Sequence, residues 1–144
     1  MFRIQPVRSR ELQEEIARGA GCPFFPDTYA FYAAELTDDA EAVTALLGLC
    51  QFTYAPTVAV IKSLAAFPGY EHDEALFILV RAVMAFLNRA EIPFVYAEDT
   101  AADPAFLKRL LFRRTSDGRL GIDLGKFYRS PCGYKENVET KNEE

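Results

Sequence analysis

The chain has 144 residues, half of them apolar, with 21 acidic against 16 basic residues and a formal charge of −5. That is enough for one domain with its own core and no disulfide or metal staple, and the acidic balance lacks the cationic footprint that neutralises phosphates, which argues against nucleic acid as a partner. Cys22, Cys50 and Cys132 are an odd number at wide spacing without a Cys-x-x-Cys pair, so no disulfide framework or zinc knuckle is expected, and a reducing cytoplasm is the expected location.

Met1-Phe2-Arg3-Ile4-Gln5-Pro6 lacks the apolar stretch of a signal peptide. Phe2 to Val7 alternates apolar and polar residues as a half-buried strand does, and Ser9 then offers an N-cap for a helix over Arg10 to Arg18, closed by Gly19-Ala20-Gly21. After the proline-punctuated loop Cys22 to Asp27, Tyr29 to Leu36 reads as strand or helix, with strand preferred. Phe24, Phe25, Tyr29, Phe31 and Tyr32 are expected in the core rather than lining a ligand cleft, because aromatics dominate core energetics. A polar turn, Thr37 to Glu41, precedes the apolar run Ala45 to Tyr54, an interior strand broken by Ala55-Pro56. Cys50 within it is expected as a small buried hydrophobe. Thr57 to Ala66 is a further strand.

The stretch Ala66 to Leu87 is the most informative. Pro68-Gly69-Tyr70 marks a turn feeding an acidic cluster, Glu71-His72-Asp73-Glu74, and then a helix from about Asp73 to Ala90 that is apolar around most of its circumference and is expected to lie against a sheet with little exposure. Its longest apolar run contains Arg81 and is shorter than the ~20 residues of a membrane span, so no membrane partner is expected. A helix N-terminus directly after a strand points free N–H groups and the positive end of a dipole at solvent, a natural anion site. Here carboxylates fill it, and Asp73 is itself a good N-cap.

Pro93 to Ala97 is a short strand, and Asp103-Pro104 opens a helix running to about Leu111, with the cap followed by proline at the first helical position. Arg113 to Leu124 holds Ser116-Asp117-Gly118, a hairpin signal. A strand after Gly125, with Phe127-Tyr128, is expected to offer a homodimer edge. Lys135 to Glu144 is charged with one apolar residue, Val138, and reads as a disordered tail.

This order of strand, helix, two or three strands, helix, strand, helix and hairpin resembles the GCN5-related N-acetyltransferase (GNAT) superfamily over nearly the whole chain up to Cys132. Pro68 and Tyr70 match the residues flanking that family's Arg/Gln-x-x-Gly-x-Gly/Ala loop, the helix through Ile78-Leu79-Val80 follows in phase, and Leu110-Leu111-Phe112-Arg113-Arg114-Thr115 matches the Leu-Gly-Phe pattern apart from its central residue. The resemblance implies an α+β fold, a mostly antiparallel central sheet flanked by helices, in a single domain over 1–134. It also implies acetyl-coenzyme A as cofactor, a small-molecule or amine substrate as partner, and a cofactor site built from Leu64, Ala65, Phe67, Gly69, Tyr70, Glu71, His72, Asp73 and Glu74.

This chain departs from the family where phosphate would bind. In the ungapped register the loop arginine becomes Glu71, and three positions that are often glycine become His72, Glu74 and Leu76. Glycine lets phosphate approach the backbone, and arginine pairs with its oxygens. A like charge at contact distance instead costs about 4 kcal/mol at an effective dielectric of about 20, less where solvent screens it. The family's asparagine and its proton-donating tyrosine fall at Thr100 and Leu107, and leucine donates no proton.

His72 is the only histidine, so Ser/His/Asp or Cys/His chemistry would have to be built on it. Adjacent turn residues seldom converge on a metal, and no metal site is expected. Two readings stand. One is an acyl-coenzyme A dependent N-acetyltransferase in which strands Leu64 to Phe67 and Phe94 to Ala97 part to grip the pantetheine arm, with Glu98 or Asp99 as base. The other is a non-catalytic binding or regulatory module of the same fold with a degenerate pyrophosphate loop and no cofactor.

Overall fold

The computed structural model describes residues 1–70 and 74–129. The chain runs β1 (Phe2–Pro6), α1 (Arg10–Ala20), β2 (Tyr29–Leu36), β3 (Val43–Tyr54), β4 (Ala59–Ala66), α2 (Glu74–Arg89), β5 (Phe94–Ala97), α3 (Pro104–Arg109), β6 (Arg113–Arg114), β7 (Leu120–Asp123) and α4 (Leu124–Arg129). The seven strands form one sheet in the order β1-β2-β3-β4-β5-β7-β6, antiparallel throughout except for the parallel pair β4–β5. This is a mixed sheet flanked by helices, of the α+β class.

Local chemistry explains where most elements begin and end. Ser9 accepts the Leu12 N–H at 3.1 Å, the N-cap contact that satisfies a first-turn amide. Gly21 ends α1 at φ 74, a left-handed position that costs glycine nothing, and its N–H returns to the carbonyls of Ala17 and Arg18. Asp103 caps α3 through the Ala105 N–H at 3.0 Å, with Pro104 in the first turn. The Asp-Gly turn forms as expected, with Gly118 at φ 84 and the Gly118 N–H on the Thr115 carbonyl at 2.9 Å. Tyr29–Leu36 is a strand, its aromatic and β-forming residues paired with β1 and β3.

Helices cover the two faces unequally. On one face α1 packs Ile16 and Ala17 on Ala30 and Leu49, with Phe67 and Leu46 beside them. On the other, α2 and α3 cover the larger core, which includes Phe52, Ile61, Leu79, Val83, Leu107 and Phe112. Phe31 joins that core, its ring 5.7 Å from Phe52 and 5.4 Å from Phe86, whereas Tyr29 is 54% exposed.

Two expectations are corrected. Helix α2 is not buried all round: Leu76, Leu79, Val80, Val83, Met84 and Leu87 face the sheet, while Phe77 and Ile78 are about 40% exposed. A helix on one face of a sheet has an outer side, and here Arg81 lies over the Phe77 ring at 4.7 Å. The segment after Gly125 is a helix rather than a strand. Asp123 Oδ1 accepts the Lys126 N–H at 3.0 Å and starts α4, and Leu124, Phe127 and Tyr128 recur at helical spacing. Phe127 and Tyr128 therefore pack on the chain's own core and not along a strand edge. The expected tail from Lys135 to Glu144, like Cys132, lies outside the described residues.

A buried polar hub joins α1, the loop before β2, and β3. Gln51 is fully buried; its Oε1 accepts from Gln13 Nε2 and the Phe25 N–H, both at 2.9 Å, and its Nε2 donates to the Pro23 carbonyl at 2.9 Å. Gln13 Nε2 also donates to Thr28 Oγ1 at 2.8 Å. Replacing Gln51 strands several buried polar atoms at once, and each costs about 1–3 kcal/mol. Gln51→Leu should therefore lower unfolding free energy by about 2–4 kcal/mol in urea titration, against about 1 kcal/mol for Ser9→Ala; equal losses would remove the hub from this account.

Candidate active site

Strand β4 pairs with β5 over only three positions, Ala59↔Val95, Val60↔Tyr96 and Ile61↔Ala97, and then continues alone to Ala66 on that side. The parting coincides with a bulge. Against β3, Gln51 pairs with Ser63 and Phe52 with Ile61, so Lys62 is an extra residue; an inserted residue bends a strand and swings it from its neighbour.

Alternation sorts the amides beyond the bulge. The Phe67 N–H points to β3 and donates to the Leu47 carbonyl at 3.0 Å, so the backbone groups of Leu64 and Ala66 face the opposite edge, toward the parting. The Leu64 N–H is already engaged: it donates to the Ala101 carbonyl at 2.9 Å, in a turn closed by the Ala101 N–H on the Glu98 carbonyl at 2.9 Å. Ala101 is 5% exposed. Among the described residues, the Ala66 N–H and C=O have no backbone partner on that edge.

Both carboxylates singled out as bases face cations. Glu98 Oε2 lies 2.9 Å from Lys62 Nζ, and the Glu98 N–H donates to the Ile61 carbonyl at 3.1 Å. Asp99 Oδ1 lies 3.1 Å from Arg114 Nη1, which also donates to the Gly118 carbonyl at 2.8 Å. These pairs are partly open to water, so each is worth about 0.2–1 kcal/mol, and each engages one oxygen of its carboxylate.

The expected cofactor residues are distributed as follows. Leu64 belongs to the core under α2, Ala65 is half-buried, and Phe67 is half-buried under α1. Phe67 to Tyr70 is a tight turn with Pro68 and Gly69 at its centre, Gly69 at φ 88 and the Tyr70 N–H on the Phe67 carbonyl at 2.9 Å, the geometry that favours proline then glycine. Tyr70 is exposed, and Glu74 opens α2. Glu71, His72 and Asp73 lie outside the described residues. Thr100 is exposed, and Leu107 is fully buried among core residues. Sequence reasoning missed Lys62, Ala101 and Arg114. The break in alternation at Ile61-Lys62-Ser63 was a readable sign of the bulge, whereas nothing local pairs Ala101 with Leu64.

Beside the parting, on the sheet face away from α2, the rings of Phe94 and Tyr96 lie 4.8 Å apart across Gly121. A Cβ on Gly121 would sit 2.5 Å from the Phe94 ring, so only glycine lets the rings lie close to the sheet. Arg119 stacks on Tyr96 at 3.8 Å.

No family model matches the sequence, and no curated protein matches it. Solved structures do. An acetyltransferase of the GNAT family from Staphylococcus aureus superposes with a TM-score of 0.64 at 13% identity, over 86% of this chain and 99% of that one. The ribosomal-protein-S18-alanine N-acetyltransferase from Escherichia coli gives 0.59 at 15% identity, over 84% and 89%. A chain of the NatC complex bound to Gag peptide and coenzyme A gives 0.61 at 12% identity, over 85% and 98%. The chain has the GNAT fold.

Within this GNAT fold, no described group of three or more His, Cys, Asp or Glu side chains could hold a metal, and no described helix is long and apolar enough to cross a membrane. Among the described residues, two free thiols lie on β3 and in the loop after α1. Burial pushes the Cys50 thiol well above its ordinary range. Burial also raises Cys22, opposed by a hydrogen bond with Ser63. A raised folded pKa means that the folded state keeps a proton the unfolded state gives up, so this contribution to stability is present below about pH 9 and lost as pH climbs above it. Native protein at neutral pH should show no iodoacetamide labelling at Cys50 and slow labelling at Cys22, with unfolding midpoints falling above pH 9; fast native labelling of Cys50 in peptide mass maps would contradict the packing described.

Proposed function

We propose that this protein is a divergent GNAT-fold chain with weak or absent affinity for acyl-coenzyme A, acting as a binding or regulatory module. The observation that carries this reading is the Leu64–Ala101 hydrogen bond. Where β4 parts from β5, the amide that could meet an extended ligand is held by the protein's own carbonyl, and displacing it forfeits a buried hydrogen bond worth about 1 kcal/mol before any ligand contact is gained. Two features of the sequence point the same way. The turn into α2 carries Glu71, Asp73 and Glu74 where a diphosphate needs donors and close backbone approach. Leu107, at the register position of the proton-donating tyrosine, is buried and has no proton to give.

A second reading is favoured by the open Ala66 edge together with the structural neighbours, one of which is a complex solved with coenzyme A. It is an acetyl-coenzyme A dependent N-acetyltransferase acting on a small-molecule or peptide amine. In that reaction the amine nitrogen attacks the thioester carbonyl, the carbon–sulfur bond breaks, and the amine's proton ends on the departing thiolate. Glu98 or Asp99 would carry that proton on the carboxylate oxygen that its cation does not engage, and rate would rest mainly on holding amine and thioester together. In either reading the free thiols fit a reducing compartment such as the cytoplasm.

Calorimetric titration with acetyl-coenzyme A separates the two. The module reading expects no isotherm tighter than about 1 mM, a free energy near −4 kcal/mol. A micromolar isotherm overturns the low-affinity reading, and steady turnover of acetyl-coenzyme A with an amine establishes the enzyme instead. Glu71→Arg combined with His72→Gly and Glu74→Gly should bring cofactor affinity into the measurable range if the loop register is correct.

A further inference from the structure

The segment that closes the β4 edge is held by an unusual set of tethers. It leaves the sheet after the last β4–β5 pair, Ile61↔Ala97, and ends at Asp103, which caps α3. Between these posts Glu98 is tied to Lys62 on β4 at 2.9 Å, Asp99 to Arg114 on β6 at 3.1 Å, and the Ala101 carbonyl to the Leu64 N–H at 2.9 Å. The Glu98 N–H also donates to the Ile61 carbonyl at 3.1 Å, and little apolar surface adds to these tethers: the buried methyl group of Ala101 and the partly buried one of Ala102.

We propose that Glu98–Ala101 is a latch: the ion pairs Lys62–Glu98 and Arg114–Asp99 hold the Ala101 carbonyl on the Leu64 amide, and releasing them opens the β4 edge from Leu64 to Ala66 to an extended ligand. This regulation of the cleft rests on the reading that the closed edge is what keeps acyl-coenzyme A affinity low. The physical argument is one of position and screening. Both pairs are partly exposed, with side-chain exposures of 31% and 38% for the first and 43% and 62% for the second, so they lie within reach of mobile salt and of competing charged ligands. The posts on either side are held more firmly, by a sheet register on one and a capped helix on the other, so the turn can lift without unfolding its neighbours. Lys62 has a further part, because it is the bulge residue itself: the same insertion that parts the strands supplies the cation that ties the turn down.

Hydrogen exchange of the Leu64 amide in the full chain reads the latch directly. In wild type at low salt this amide is expected to be protected, and in Lys62→Gln/Arg114→Gln it should exchange about tenfold faster while core amides such as Val83 and Phe52 keep wild-type rates. Raising salt should move wild type toward the variant. Glu98→Gln/Asp99→Asn removes the same pairs from the other side and should reproduce the effect, which guards against a folding defect peculiar to one variant. Unchanged Leu64 exchange in both double variants, or an unprotected Leu64 amide in wild type, overturns the latch. Acetyl-coenzyme A titrated into the opened variants tests the underlying reading separately: new binding supports both, whereas a faster Leu64 amide without binding leaves the latch standing and rejects the closed edge as the cause of low affinity.

Discussion

Lys62 stands one residue out of register in β4, and the shape of the cleft follows from that insertion. Up to Ile61 the strand is held on both sides, by β3 and by β5. Beyond the bulge it keeps β3 and loses β5, so a row of backbone groups in the middle of a seven-stranded sheet is left without a ladder partner. Buried amides without partners are costly, and a sheet that parts in its interior must fill the gap with chain, water or a ligand. Here the chain itself fills the first position, by returning the Ala101 carbonyl to Leu64.

That solution constrains the rest of the site. The turn that delivers Ala101 carries Glu98 and Asp99, and both carboxylates are drawn to cations on neighbouring strands. Groups that would be well placed for proton transfer, at the end of a central strand beside a parting, serve in this conformation to shape the loop. The next helix begins immediately after the turn, with Asp103 as its cap, and its inward side chain at Leu107 goes to the core. The closed edge at Leu64 and the burial of Leu107 are thus features of one continuous segment, residues 98–107.

Other parts of the sheet are ordered by different forces. Gln51, Gln13 and Thr28 form a satisfied polar hub that fixes the loop between α1 and β2 against β3, and Phe94, Tyr96 and Arg119 form a stacked shelf on the sheet face away from α2, close-fitting because position 121 has no Cβ. The turn at residues 98–101 is held instead by backbone hydrogen bonds and two partly exposed ion pairs.

The sequence by itself determined most of the elements and their order, because those rest on neighbours within a few residues. Ser9 and Asp103 cap helices through amides two or three positions away, Gly21 and Gly118 take left-handed turns that need no tertiary help, and the apolar periods of β3 and α2 mark interior segments. The turn at Pro68-Gly69-Tyr70 was legible for the same reason, and Glu98 and Asp99 could be placed at a strand end. Their partners could not be read. Lys62 lies 36 residues from Glu98 in sequence, and Leu64 and Ala101 are comparably distant; no local preference selects one distant group over another, and only the register of the folded sheet brings them together. The helix after Gly125 was decided in the same way, since an aromatic pair there suits strand or helix equally until the core offers Phe127 and Tyr128 a surface to cover.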